Sequence, residues 1–138
     1  MKLNIQPVAT QFVNQAWPMV EEFIKSAEEK SGAVEYTADQ IKVYLVTGQW
    51  MLLVAADEEQ KVHGAATVNF INYPSDRVAF ITAIGGKLIA NEETFAQMCA
   101  ILKDCGATKI QGMARESVAR LWKRFGFEER SILVETKI

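Results

Sequence analysis

The chain has 138 residues, 49% of them hydrophobic, 23% charged and 9% aromatic, with a formal net charge of −2. That length fits one compact domain, is too short for two, and buries enough surface to need neither disulfides nor a structural metal. The near-balanced charge excludes a disordered tail and a basic nucleic-acid arm. The longest apolar run, Met51 to Ala56, falls far short of the roughly 20 residues of a membrane helix, and nothing near Met1 reads as a signal peptide. The reading is a cytoplasmic domain with no nucleic-acid or membrane partner. Cys99 and Cys105 have no second ligand type beside them and His63 is the single histidine, so no metal centre is expected and both thiols read as small buried hydrophobes.

Lys2 to Pro7 alternates apolar and polar residues until the proline stops it, a short opening strand. From Thr10, the residues Phe12, Ala16, Met19, Phe23 and Ala27 recur at three- and four-residue steps and predict a helix with that stripe inward. Pro18 should kink or restart it, with Trp17 pushed out of the helical region, and Gly32 should end it. Thr37 and Gln40 have capping-box spacing, predicting a helix through Tyr44 and Leu45 that stops at Gly48. Trp50 to Ala56 reads as a strand covered on both faces. After the turn Asp57 to Gln60, Val62 to Phe70 alternates as a second strand, and Arg77 to Ile84 follows a break at Asn72 to Asp76. These three strands predict an antiparallel meander.

Gly85-Gly86 ends the meander, and Asn91 with Glu92 and Glu93 opens a helix with Phe95, Met98, Cys99 and Leu102 inward. Gly106 closes it. Lys109 to Met113 reads as a strand parallel to the one ending at Ile84, joined by a right-handed crossover. A last helix turns Val118, Leu121, Trp122 and Phe125 inward and stops at Gly126, and Ile132 to Ile138 alternates as a terminal strand. Trp17, Trp50 and Trp122 fall inside apolar patterns and read as core or cleft-wall aromatics.

The order strand, two helices, three antiparallel strands, helix, strand, helix, strand, together with the segment Glu116-Ser-Val-Ala-Arg-Leu-Trp-Lys-Arg-Phe-Gly-Phe-Glu128, resembles the GNAT superfamily, the Gcn5-related N-acetyltransferases. The resemblance spans nearly the whole chain. It implies a single α/β domain over residues 1–138, with a mixed central sheet, an antiparallel meander and a parallel crossover pair. It also implies acetyl transfer from acetyl-CoA to a small-molecule or peptide amine. The cofactor arm would pair with the strand edge at Ile81, Thr82, Ala83 and Ile84, and the diphosphate would meet Gly85, Gly86 and Lys87.

The family's usual phosphate-loop pattern is absent, and Glu92 and Glu93 stand where phosphate should approach. Two like charges about 4 Å apart repel by about 1 kcal/mol in water and about 4 at an effective dielectric of 20, which argues against tight binding. Two readings stay open: Asn91 caps the helix and the glutamates complement its dipole, or the helix starts near Lys87 and the glycines donate to phosphate. Trp122 replaces the tyrosine that often protonates the leaving thiolate, and its indole cannot. Arg115 stands where an asparagine often contacts the cofactor, and could bind a phosphate oxygen.

Glu116 is the nearest acidic candidate for a general base, or else a first-turn glutamate partnering Arg120. His63 reads as a half-exposed strand residue. Arg120, Lys123 and Arg124 form a cationic stripe facing solvent, the cofactor's outer phosphate or an acidic partner. The alternative reading is a GNAT-like binding or assembly module without catalysis, as in the phage-encoded relatives the sequence also resembles. A small-ligand sensor built on the same cleft is a third. Relatives pair through terminal strands, which implies a homodimer involving Ile132 to Ile138.

Overall fold

A computed structural model describes residues 1–30 and 35–138. The strands are β1 (Asn4–Val8), β2 (Met51–Ala56), β3 (Val62–Asn72), β4 (Arg77–Gly86) and β5 (Lys109–Gly112). The helices are α1 (Val13–Lys30), α2 (Ala38–Val46), α3 (Glu92–Asp104) and α4 (Glu116–Trp122). Short 3-10 turns at Thr10–Phe12 and Lys123–Phe125 lead into α1 and out of α4. The five strands form one sheet in the order β1-β2-β3-β4-β5, antiparallel except for the parallel β4–β5 pair. This is the expected mixed α/β sheet, with the predicted crossover. No helix among the described residues is long and apolar enough to cross a membrane.

The sheet is the middle of three layers. On one face, Val13, Trp17, Val20 and Ile24 of α1 and Ile41 and Leu45 of α2 pack against Leu52, Val54, Ala65 and Ala83. On the other, Met98 and Leu102 of α3 and Trp122 of α4 pack against Leu53, Val68, Ala79 and Ile81. Burial of both faces explains why β2 reads as an unbroken apolar run.

Two expectations for α1 need correction. The helix runs through Pro18 without restarting, and Trp17 is helical and buried. Burying Trp17, Val20 and Ile24, each side chain contributing about 1.5–3 kcal/mol, outweighs the roughly 3 kcal/mol that an interior proline costs. The inward face is also shifted from the expected stripe: Val13, Trp17, Val20 and Ile24 are buried together with the expected Ala16, Phe23 and Ala27 pack against them, and Phe12 and Met19 are each 52% exposed. Gly32, the expected end of the helix, lies outside the described residues.

Capping follows the sequence closely. Gln40 N donates to Thr37 Oγ1 at 3.2 Å, and Thr37 N donates to Gln40 Oε1 at 2.9 Å. Pro7 does not end β1, which continues to Val8, because an edge strand tolerates the missing donor. The terminal strand is a further correction. Residues 126–138 take no strand, and Ile132 and Val134 are 88% and 83% exposed. Among the described residues, no backbone hydrogen bond joins this segment to the outer edge of β5, although Ile132 and Leu133 line the groove beside it. Both cysteines are free and only partly buried. Burial raises the Cys99 thiol above its ordinary pKa.

Candidate active site

The pairing of β4 sets the site. Its inner edge follows β3 along its whole length, but its outer edge meets β5 only at Val78, Ala79, Phe80 and Ile81, opposite Lys109, Ile110, Gln111 and Gly112. Among the described residues, no strand pairs with the outer edge from Thr82 to Gly86. The β3–β4 register shifts at the same place, from Val68↔Ile81 to Thr67↔Ala83, so Thr82 is the extra residue of a β-bulge. A bulge bends its strand, and here it bends β4 where β5 stops following. The Thr82 hydroxyl turns back onto β3, 2.7 Å from Thr67 Oγ1, and donates to Thr67 O at 3.1 Å. Thr67 is fully buried, so this bond satisfies a polar side chain in the core and pins the bulge.

Over the bulge lies a cavity of about 60 Å³ lined by Ile24, Ile41, Ile81, Thr82, Ala83 and Met113. Its lining also includes Glu28 near the end of α1, and Glu35 and Tyr36 just before α2. Tyr36 is held edge-on to Trp50, ring centroids 4.8 Å apart, and Trp50 stacks on Tyr44 at 4.3 Å. The cavity therefore joins an apolar floor to two carboxylates and a phenol.

The expected phosphate loop is built differently. Gly85 and Gly86 belong to β4 and lie against α1 and β3. A Cβ on Gly85 would run into the Phe23 carbonyl, and one on Gly86 would meet His63 O and the Phe23 ring. Lys87 N already donates to His63 O at 2.9 Å. At the start of α3, Thr94 N donates to Asn91 Oδ1 at 2.9 Å, while Ala90 N and Asn91 N donate to Thr94 Oγ1 at 3.0 and 3.2 Å. The amides of Lys87, Ala90, Asn91 and Thr94 are thus engaged within the chain, with Glu92 and Glu93 in the first turn. Of the two readings left open by the sequence, the structure has the Asn91 cap. The open edge of β4 fits the amide-bearing arm of a thioester donor. The start of α3 does not fit its diphosphate.

The remaining candidates are spread out. Glu116 and Arg115 sit exposed at the start of α4, and Glu116 does not line the cavity. Arg115 occupies the N-cap position without a side-chain capping bond. Trp122 is buried on the opposite face of the sheet, its ring 3.1 Å from where a Gly112 Cβ would stand. Arg120, Lys123 and Arg124 are exposed, with Lys123 3.6 Å from Glu129. His63 Nε2 lies 2.8 Å from Asp57 Oδ2. That bond, followed by donation from Lys61 N, holds the Asp57 carboxyl below the usual carboxylate range. Glu28, Glu35 and Tyr36 did not emerge from the sequence, because only the packing of α1 and α2 over the bulge brings them to β4.

No protein-family sequence model and no curated protein matches the chain. Solved structures do. An aminoglycoside acetyltransferase from an uncultured soil metagenomic sample, in complex with sisomicin, aligns at TM-score 0.70 and 13% identity over 99% of this chain and 96% of that one. A predicted acetyltransferase from Clostridium acetobutylicum, solved with acetyl-CoA, aligns at TM-score 0.65 and 14% identity over the same shares. An acetyltransferase from Trypanosoma brucei aligns at TM-score 0.60 and 10% identity over 99% and 100%. With its split parallel pair, its bulged β4 and these neighbours, the chain has the fold of the Gcn5-related N-acetyltransferases.

Proposed function

We propose that the protein is a cytoplasmic N-acyltransferase that moves an acetyl group from acetyl-CoA to a small-molecule or peptide amine. The observation that carries this reading is the departure of β5 from β4 after Ile81, which leaves the Thr82 to Gly86 edge open beside an apolar cavity. Bound there, acetyl-CoA supplies a thioester carbonyl open to attack by an amine. Thr82, Ala83 and Ile84 would hold the arm through backbone groups, whereas Ile81, expected to do the same, is paired with Gly112 of β5, and the exposed Lys87 and Arg115 would meet the phosphates by side-chain charge alone. The carboxylates of Glu28 and Glu35 draw in a cationic acceptor and take its proton, since an ammonium has no lone pair to attack with. Tyr36 offers the proton-donating hydroxyl that Trp122 cannot, because an indole N–H only donates hydrogen bonds. Glu116, exposed at the start of α4, is a third acidic candidate.

The test is release of free thiol from acetyl-CoA across a panel of amines, with thermal unfolding in parallel. Amine-dependent release is expected, falling by about 10² in Glu28→Gln or Glu35→Gln if either is the base, and likewise in Glu116→Gln if that residue is. Ligand at a hundred times its Kd should stabilise the fold by about 2.7 kcal/mol. Neither release nor stabilisation at millimolar acetyl-CoA would refute the assignment. That result would favour the second reading, a binding or assembly module of the phage type that the sequence resembles, for which the engaged amides of Ala90, Asn91 and Thr94 speak.

A further inference from the structure

The sheet clasps one bare edge and leaves another open. On β1, Pro7 removes one donor, and the side-chain amide of Gln97 closes the edge: it accepts from Ile5 N at 2.7 Å and donates to Leu3 O at 3.3 Å. On β4, among the described residues, no side chain, turn or outer strand bonds to the backbone between Thr82 and Gly86. That stretch is free to pair with the amides of a pantetheine arm. Beyond the arm the match ends. A nucleotide diphosphate brings two negative charges, whereas four of the N–H groups from Lys87 to Thr94 are engaged within the chain and Glu92 and Glu93 fill the first turn of α3. An arm whose phosphate is esterified to a protein hydroxyl brings one negative charge and no nucleotide. The exposed Lys87 or Arg115 is enough for it.

The surface beside the split supplies a dock for such a protein. Met113 lines the small cavity, and Arg115 stands two residues on, about 7 Å of extended chain. From Arg115 to Arg124, four cations face a single carboxylate, Glu116, on a chain whose net charge is −2. Lys123 lies 3.6 Å from Glu129, but Arg120 and Arg124 are exposed and take part in no ion pair among the described residues. Leu121, 49% exposed, adds an apolar contact to the same element. Like charges four residues apart repel in the free chain, and an acidic partner relieves that repulsion. Glu92 and Glu93 at the start of α3 repel the same partner. Attraction at α4 and repulsion at α3 together fix which way round it sits.

We propose that the preferred acyl donor is a phosphopantetheine thioester borne by an acidic protein carrier, which docks on the Arg120 and Arg124 side of α4 and lays its arm along the open edge of β4. Acetyl-CoA shares the arm and serves as the poorer donor. The proposal rests on the acyltransferase reading and names the partner of the same site. In the transfer, the acceptor nitrogen forms its bond to the thioester carbonyl carbon as the C–S bond breaks. The proton lost by nitrogen ends on sulfur, and the arm leaves as a free thiol still attached to its carrier.

Thiol release with the best acceptor of the amine panel tests it across three donors: acetyl-CoA, acetyl-phosphopantetheine, and acetyl-phosphopantetheine attached to a small acidic carrier protein. The unattached arm should serve within about three-fold of acetyl-CoA, whereas losing a bound diphosphate would cost about 10². The carrier should exceed both in kcat/KM by about ten-fold at about 50 mM salt, and the advantage should vanish at about 300 mM. Arg120→Glu with Arg124→Glu should remove the advantage and leave acetyl-CoA turnover unchanged, while Arg120→Lys with Arg124→Lys keeps it. A carrier no better than acetyl-CoA overturns the proposal and leaves the acyltransferase reading standing. So does a reversal that costs acetyl-CoA as much as the carrier, which would put the arginines on the nucleotide. No release from any donor, by protein whose melting temperature shows it folded, refutes the acyltransferase reading and the proposal with it.

Discussion

Replacing Gly85 by alanine separates a packing role from a phosphate-binding one. The new Cβ would run into the Phe23 carbonyl oxygen and would stand 2.9 Å from its carbon and 3.2 Å from its Cα, all backbone atoms of α1. No rotamer change can move them. Overpacking a tight site costs about 1–3 kcal/mol, and an obstacle made of helix backbone puts this case at the upper end, about 3 kcal/mol. For a chain of this length that loss lowers the melting temperature by about 10 °C. Gly126→Ala is the control: φ is +91° there but nothing lies within 4 Å, so only the left-handed backbone is penalised, by about 1–2 kcal/mol. Urea unfolding followed by circular dichroism measures both, provided the m-value is unchanged. If Gly85→Ala were as stable as the wild type but bound acetyl-CoA less well, the glycine would belong to a phosphate loop and the reasoning here would fail.

Two further variants probe the site and its surroundings. Glu92→Gln with Glu93→Gln should tighten acetyl-CoA binding about three- to ten-fold by calorimetry, while removing about 0.3–1 kcal/mol of helix-dipole stabilisation per residue. Unchanged affinity would mean that the nucleotide does not pass the start of α3. Asp57→Asn should flatten the acid limb of the stability profile. A carboxyl whose pKa is depressed by folding contributes stability fully present above its unfolded value, near 3.9, and lost as pH falls through its lower folded value. Melting temperatures below about pH 4 should therefore fall less steeply in the variant. Asp76, held down first by the Thr108 hydroxyl and then by Lys109, leaves a residual slope. Parallel wild-type and variant curves would exclude the His63–Asp57 bond as a source of acid sensitivity.

Local rules carried the sequence reading a long way. The capping box at Thr37–Gln40, the Asn91 cap and the helix stops at Gly48, Gly106 and Gly126 concern neighbours in the chain, and all are found in place, the three glycines in the left-handed region. The crossover between β4 and β5 followed from element order alone. In α1, the rows beginning at Phe12 and at Val13 both fit a 3.6-residue period, and only contact with the sheet chooses between them. The terminal alternation was legible, but an edge to pair with is a property of the assembled fold. The same holds for the cavity: Glu28, Glu35 and Tyr36 meet Thr82 only once α1 and α2 lie across the bulge. Backbone cap bonds likewise decide which amides remain free for an anion, and periodicity says nothing about them.

The Gln97 clasp on β1 spans more than ninety residues of sequence. On the ribosome, β1 can pair with β2 once Ala56 has emerged, but its outer edge stays bare until α3 is made. At about 5–20 residues per second, the roughly 40 residues between them take about 2–8 s to synthesise. For that interval, Pro7 is the nascent chain's protection against edge-to-edge association with neighbouring polypeptides, and the amide that later seals the strand arrives from the second half of translation.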